Sequence, residues 1–417
     1  MGKSPWVICK AGKIAKVKYY VPQRATALDA TYIAAIESLR LCCSSAGMKA
    51  SGGTVGHHQV WARDSMIALL GARFAEDNRI HSALRASLAL LKNHRGPRGA
   101  IPNNVDPVSL RPNFRAYADG GLWWIVGSAL LAPDPQVIRE ILGWCECQDV
   151  DGSGLLSMQE ASDWQDLFCT RGKGLYLNCL YVLALRLAAQ VFDGEERDRL
   201  LLRAALVAER INAHFWYAGD QAMGRHFSLT YSTDGSPLTD SLGRPREIPP
   251  KLYLTDQQYY LPYLGFRAVG EWFDSFGNLL AILAGVASPW QSSIILDLIS
   301  RQSLDRWPLR SLTPAVQPGD PDWRNYYGPV NTPHRYHNGG VWPFLGGFYV
   351  AALVKAGRGE AATRALLSLA ELNNRGQFNE WHHGETGEPM GVQDQAWSAG
   401  MYLFACESVR RGQVALP

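Results

Sequence analysis

No apolar run in this 417-residue chain reaches the roughly 18 residues that a membrane-crossing helix requires, so a spanning segment is not expected. Nor is there a cluster of Lys or Arg of the kind that grips a phosphate backbone. The 41 basic and 38 acidic residues leave a net charge of +3, which argues against nucleic acid and anionic membrane and for an uncharged partner. The eight cysteines are scattered, and neither Cys42-Cys43 nor Cys145-Glu146-Cys147 has a partner pair at zinc-ligand spacing. We expect reduced, mostly packed thiols and no metal. The start, Met1-Gly2-Lys3-Ser4-Pro5-Trp6, leads into Lys-rich sequence without an apolar core or cleavage site, and no Asn-x-Ser/Thr sequon occurs, as expected of a cytoplasmic protein. What is abundant is aromatic: 14 Trp, 17 Tyr and 13 Phe, enough for a large core or for the flat amphipathic walls of a carbohydrate site.

Apolar residues recur with period 3.6 rather than 2. Helices are expected near 28–46, 64–76, 80–93, 119–131, 135–147, 173–192, 195–216, 254–264, 274–286, 290–301, 338–357, 359–373 and 392–411. Their character alternates. Leu175 to Gln190 is apolar on nearly every side, whereas the next helix carries Glu195, Glu196, Arg197, Asp198, Arg199, Arg203, Glu209 and Arg210. The first reads as buried all round and the second as facing water on one side. Six such pairs close into an all-α (α/α)6 barrel with long irregular loops at one end. An open helical solenoid is the rival, but no fixed repeat supports it. One catalytic domain over 1–417 is expected, with an N-terminal extension at 1–27 and inserted loops at 217–253 and 304–337, the second rich in Pro and Trp.

Two carboxylate segments far apart each set an acid beside an indole: Ser162-Asp163-Trp164-Gln165-Asp166 and Asn379-Glu380-Trp381-His382-His383. Cleaving a glycosidic bond needs one carboxyl group that donates a proton to the leaving oxygen, a second that deprotonates water, and rings against which a sugar stacks. Val60-Trp61-Ala62-Arg63-Asp64 and Ala118-Asp119-Gly120-Gly121-Leu122-Trp123-Trp124 place further acids at helix starts, where each is either a cap or a grip on sugar hydroxyls. Ile101-Pro102-Asn103-Asn104 is expected to line the same rim. Tyr336-His337-Asn338-Gly339-Gly340-Val341-Trp342-Pro343 and Gln395-Ala396-Trp397 complete the set.

Val-Trp-Ala-Arg-Asp, Ala-Asp-Gly-Gly-Leu-Trp-Trp, Asp-Trp-Gln-Asp, Phe-Gly-Asn-Leu-Leu-Ala-Ile, Tyr-His-Asn-Gly-Gly-Val-Trp-Pro and Glu-Trp-His-His-Gly-Glu-Thr-Gly-Glu-Pro, in order from about residue 57 to 405, resemble the motifs of α/α-barrel inverting glycosidases. The groups in question are the amylo-α-1,6-glucosidase domain of glycogen-debranching enzymes and the alkaline/neutral invertases. The resemblance implies a cofactor-independent, exo-acting inverting hydrolase with an α-linked glucosyl unit innermost. By position, Asp166 matches the general acid and Glu380 the general base, with Asp163 as the alternative donor. Arg63, Asp64, Asp119, His337 and Trp342 fall where sugar-contacting residues lie. Trp61, Trp123 or Trp342 is expected to carry the ring, and Trp164, Asn338, Trp381, Gln395 and Trp397 complete the substrate-binding set.

The expected partner is a small carbohydrate: sucrose, a short α-1,6 or α-1,4 glucoside, a conjugate such as glucosylglycerate, or an α-mannoside. No sequence rule distinguishes these or sets the oligomeric state. Two other readings stay open. An epimerase on the same barrel would use His57, His58, His337, His382 and His383 as acid/base pairs, and a catalytically silent relic would only bind glycans.

Overall fold

The computed structural model describes residues 22–218, 257–265 and 268–416. Twelve α-helices stand among them: α1 Pro22–Cys42, α2 Ala62–Ala72, α3 Asn78–Asn93, α4 Gly120–Leu131, α5 Pro135–Glu146, α6 Leu175–Ala188, α7 Gly194–Phe215, α8 Ser275–Leu283, α9 Pro289–Arg301, α10 Pro343–Lys355, α11 Gly359–Gly376 and α12 Ala396–Arg411. The even-numbered helices are buried along nearly their whole length, and the odd-numbered ones along a stripe. In α5 that stripe is Val137, Ile138, Ile141, Leu142 and Cys145, the spacing of one helix face.

The even helices touch in the cycle α2–α4–α6–α8–α10–α12–α2, which closes an inner ring, and the odd helices form the outer layer. The molecule is an (α/α)6 barrel. Closure between the first and last inner helices depends on glycine at two places: a Cβ on Gly71 would strike the Gly400 carbonyl, and one on Gly400 would strike Ala68. Local chemistry agrees with the global pattern at the outer starts. Asp77 accepts from the Arg79 and Ile80 amides, Asp134 precedes Pro135, and Ser288 with Gln291 forms a reciprocal cap.

Chain direction decides where a site can form. Inner helices pass to outer ones through short turns at 73–77, 132–134, 189–193, 284–288 and 356–358. Outer helices return to inner ones through long segments at 43–61, 94–119, 147–174, 216–274, 302–342 and 377–395. The described parts of all six therefore lie at the end where the inner helices begin. Short ladders stiffen them: Val60–Trp61 pairs with Asn104–Val105, Phe273–Asp274 with Leu312–Thr313, and Trp381–His382 with Pro389–Met390.

One expected helix is absent. Within 254–264 the described residues form strands, Tyr259–Tyr260 against Trp216–Tyr217 and Tyr263–Gly265 against Lys173–Gly174. The run is short and aromatic, and Pro262 lacks the amide hydrogen a helix interior needs, so ladder pairing with buried Tyr rings wins. Of the expected insertion, residues 219–253 lie outside the described residues, as do 1–21 of the extension; α1 begins at Pro22, ahead of the expected 28. The 304–337 stretch is irregular apart from Leu312–Thr313, isolated bridges and a 3-10 turn at Asn325–Tyr327. Among the described residues no helix is long and apolar enough to cross a membrane, no His, Cys, Asp and Glu group is arranged to hold a metal, and seven cysteines are unpaired, six of them buried.

Candidate active site

The floor of the long-loop end is built from the first turns of three inner helices. Arg63 of α2 is 3% exposed, lies 3.4 Å from an Asp119 oxygen and donates to the Asp163 carbonyl at 3.1 Å. Asp119 occupies the cap position of α4 without capping it; instead it accepts from the Tyr176 hydroxyl at 2.7 Å, which in turn accepts from Trp123 Nε1 at 2.7 Å. Burial opposes the guanidinium charge, but Asp119, with Tyr176, Asp166 and Asp64 beyond it, more than compensates and holds Arg63 firmly protonated. Asp64 lies in the first turn of α2, accepts no hydrogen bond from described residues, and is pushed by burial to about 6. Arg63 and His57 pull it down, while Glu380 and Asp166 push it up.

Asp163 and Asp166 lie on the connection from α5 to α6. Asp163 is 0% exposed, accepts one amide from Gln165 at 2.8 Å, and is raised to about 8 by burial and then by Asp119; its other oxygen has no partner among the described residues. Asp166 occupies the turn closed by the Phe168 amide on the Gln165 carbonyl and is only partly buried. Desolvation raises it; Arg63 and Arg115 oppose, and Asp119 adds to the rise. No described residue donates to its carboxyl group.

Glu380 lies on the connection from α11 to α12 and is 7% exposed. Its carboxylate accepts from the Tyr336 hydroxyl and the Val392 amide, both at 3.4 Å, and lies 3.9 Å from His57 Nε2. Burial raises it, His57 opposes, and the charge of Asp166 raises it further. Asp64, Asp166 and Glu380 therefore share one electrostatic neighbourhood, whereas the anionic neighbours of Asp163 are Asp119 and Asp274. The backbone beside Glu380 is tightly specified. Gly391 has φ +70°, and a Cβ there would stand 2.5 Å from the Glu380 carboxylate.

Around these carboxyl groups the rings form a packed wall. Trp164 meets His337 edge-on at 5.2 Å and Trp342 at 5.8 Å; His337 stacks on Trp342 at 5.4 Å, and Trp397 stacks on Phe344 at 4.2 Å. Trp61 Nε1, Asp119 Oδ1, Asp163 Oδ2, Trp164 Nε1, His337 Nδ1, Gln395 Oε1 and Trp397 Nε1 are buried without a partner among the described residues. Each such orphan costs about 1–3 kcal/mol. All seven lie at the end where the long connections gather. Strain is concentrated there too: Ala161, His334, Tyr336, Gln377, Phe378 and Asp394 all have positive φ, and all lie near Asp163, His337, Glu380 or Gln395 in sequence.

The model of the alkaline and neutral invertase family matches residues 116–411. The chain belongs to that family. Over 330 residues it is 29% identical to cytosolic invertase 1 of Oryza sativa subsp. japonica, a match that covers 70% of this chain and 56% of that one. An alkaline/neutral invertase of Arabidopsis thaliana is 28% identical over 329 residues, 70% of this chain and 57% of its own length. The chain thus spans a little over half the length of the curated relatives it matches. Among solved structures, the GH63 mannosylglycerate hydrolase from Thermus thermophilus in complex with glucose superposes with a TM-score of 0.60 at 16% identity, covering 89% of this chain and 99% of that one. A bacterial glucoamylase complexed with acarbose does so with a TM-score of 0.58 at 17% identity, over 92% and 56%. Both likenesses concern the fold.

In this invertase-family chain the barrel brings Arg63, Asp64, Asp119, Asp166 and Glu380 into one electrostatic neighbourhood, and leaves Trp61, Trp164, His337, Gln395 and Trp397 with unanswered polar atoms. Three residues of the expected sugar-binding set have their polar atoms engaged within the scaffold. Both amide hydrogens of Asn338 go to the Val316 and Asn331 carbonyls and its oxygen takes the Val316 amide, so it pins a loop. Trp123 is fully buried and donates its indole N–H to the Tyr176 hydroxyl that in turn donates to Asp119. Trp342 is buried with its indole on the Tyr336 carbonyl and backs His337. Trp381 lies 5.7 Å from Tyr336 and is 6% exposed. Tyr336, Tyr176 and His57 fall outside the expected substrate-binding set, and each touches a candidate carboxylate. Only the aromatic neighbourhood of His337 hints at Tyr336, since a hydroxyl's reach across the barrel leaves no local pattern.

Proposed function

We propose that the chain is an inverting glycoside hydrolase acting on a small α-glucoside, with sucrose as the first candidate. The observation that supports this most is the pairing of a hydrogen-bonded, buried Glu380 with a partly buried Asp166 that accepts from no described residue and whose charge Glu380 feels. No described residue donates to Asp166 to hold it ionised, and desolvation strengthens its hold on its proton, the direction a general acid requires. It protonates the glycosidic oxygen as that bond breaks, while Glu380 takes a proton from the water that attacks the opposite face of the sugar. Between turnovers Glu380 returns its proton to solvent and Asp166 regains one. Asp64, Asp119 and Arg63 hold the hydroxyls of the innermost ring, and Trp61 offers a partly exposed face against it.

The relatives named invertases point to sucrose. The epimerase reading loses support because burial and Arg63 hold His337 well below its usual value, burial holds His382 at about 4, and the Nδ1 of His382 lies 3.3 Å from the Gly387 carbonyl. Neither ring is placed to cycle through a charge at neutral pH. The test is a panel of sucrose, α-1,4 and α-1,6 glucosides, glucosylglycerate and α-mannosides, with anomeric proton NMR on whatever turns over. Hydrolysis releasing β-glucose first is expected; α-glucose as first product, or no turnover of any glucoside, would overturn the proposal.

A further inference from the structure

Within the irregular stretch at 304–337, the 321–331 part is fastened to both sides of the turn that presents Asp166. Upstream, the Arg324 guanidinium donates to both oxygens of Glu160, with its Nε at 3.0 and 3.2 Å and a second nitrogen at 3.0 Å, and the Tyr326 hydroxyl donates to the same carboxylate at 2.6 Å. Downstream, Asn331 donates to the Leu167 carbonyl at 2.8 Å, and the Tyr327 ring stacks on Phe168 at 4.9 Å with 7° between planes. The Tyr327 hydroxyl accepts from the Cys169 amide at 3.2 Å and donates to the Asp322 carbonyl at 2.8 Å. Asn331 also accepts from the His337 amide at 2.9 Å, so the same side chain ties the acid turn to the aromatic wall.

We propose that the 321–331 segment is a splint for the general acid, with Arg324, Tyr327 and Asn331 as positioning residues that keep Asp166 aimed at the leaving oxygen. This rests on Asp166 being the acid. A carboxyl group with no donor among the described residues is directed by its backbone; Arg63 holds that backbone at the Asp163 carbonyl, and the 321–331 segment holds it further upstream at Glu160 and immediately downstream at Leu167. Proton donation is sensitive to small displacements, whereas binding of the innermost ring depends on other residues.

The test compares sucrose, whose leaving group needs a proton, with α-glucosyl fluoride, whose fluoride leaves with little help. For Tyr327→Phe and Arg324→Gln, kcat on sucrose is expected to fall about tenfold, with KM within about twofold and the fluoride rate within about twofold. The basic limb of the pH–rate profile should move to lower pH, because a loosened Asp166 is better hydrated and gives up its proton sooner. Arg324→Lys, which keeps the charge without the fork, should fall between. Glu160→Gln combined with Arg324→Gln should be no worse than either alone. Arg358→Gln, which breaks the tie to Asp297 on the outer layer, serves as a control and should leave the sucrose-to-fluoride ratio unchanged. Asp166→Asn separates the two ideas. If it spares sucrose, the assignment of the acid fails; if it shows the selective loss while the splint variants lose both substrates equally, or neither, the splint is overturned.

Discussion

The loop that carries Asp166 and the loop that carries Glu380 solve opposite problems. Glu380 is held by its own neighbourhood: its amide donates to the Val392 carbonyl, Trp381 and His382 pair with Met390 and Pro389, and the Val392 amide and Tyr336 hydroxyl reach its carboxylate. Asp166 has no donor among the described residues, and its loop is steadied by Arg63 on the Asp163 carbonyl and by side chains from a segment more than 150 residues away. Hydrogen bonds to a carboxylate favour its charged form, which suits a base and would disable an acid. A base can therefore be fixed by direct contacts, while an acid has to be aimed through its backbone.

The largest effect that would break this comparison is loss of the carboxyl groups themselves. Glu380→Gln and Asp166→Asn should each lower kcat on sucrose by about a thousandfold. Should Asp163→Asn do this while Asp166→Asn does not, the roles on the acid loop are exchanged. Gly391→Ala comes next. It places a methyl against Glu380 at a backbone angle that alanine resists, so kcat should fall about tenfold to a hundredfold, together with a loss of about 1–3 kcal/mol of stability in denaturant titration.

Tyr336→Phe should be milder. It removes a 3.4 Å bond that helps keep Glu380 ionised, so the acidic limb of kcat/KM should move to higher pH with less than about a tenfold loss at the optimum. The smallest effect on rate, and a distinct one on stability, concerns Asp163. Its proton is held to about 8 in the folded chain against 3.8 unfolded, so between those values the unfolded state has released a proton that the folded state keeps, and stability falls as pH rises. Thermal melts from pH 4 to 8 should show this decline in the wild type and a shallower one in Asp163→Asn. A residual slope should remain from Asp274 and Asp64, raised to about 7 and about 6.

The fold is largely legible in the sequence because each inner helix is apolar all round and each outer helix on one stripe, a contrast that period and burial make visible without coordinates. The pattern misleads at 254–264, where a short aromatic run is compatible with either a helix turn or a ladder, and partner strands decide. For the site, the acid and indole dipeptides pick out loops that meet at one end of the barrel. They do not separate Trp61, whose indole nitrogen has no partner among the described residues and whose side chain is partly exposed, from Trp123 and Trp342, whose indoles are engaged in the scaffold. Nor do they foretell that Asn338 fastens a loop.

By itself, then, the sequence determined the alternation of helix character, hence the double ring, and the residue types available at its rim, because these depend on local periodicity and composition. Tertiary structure alone decided which carboxyl groups share one field, which are given donors and which are denied them. Proton affinity depends on burial and on charges contributed by residues far away in the chain, and those distances exist only once the ring has closed.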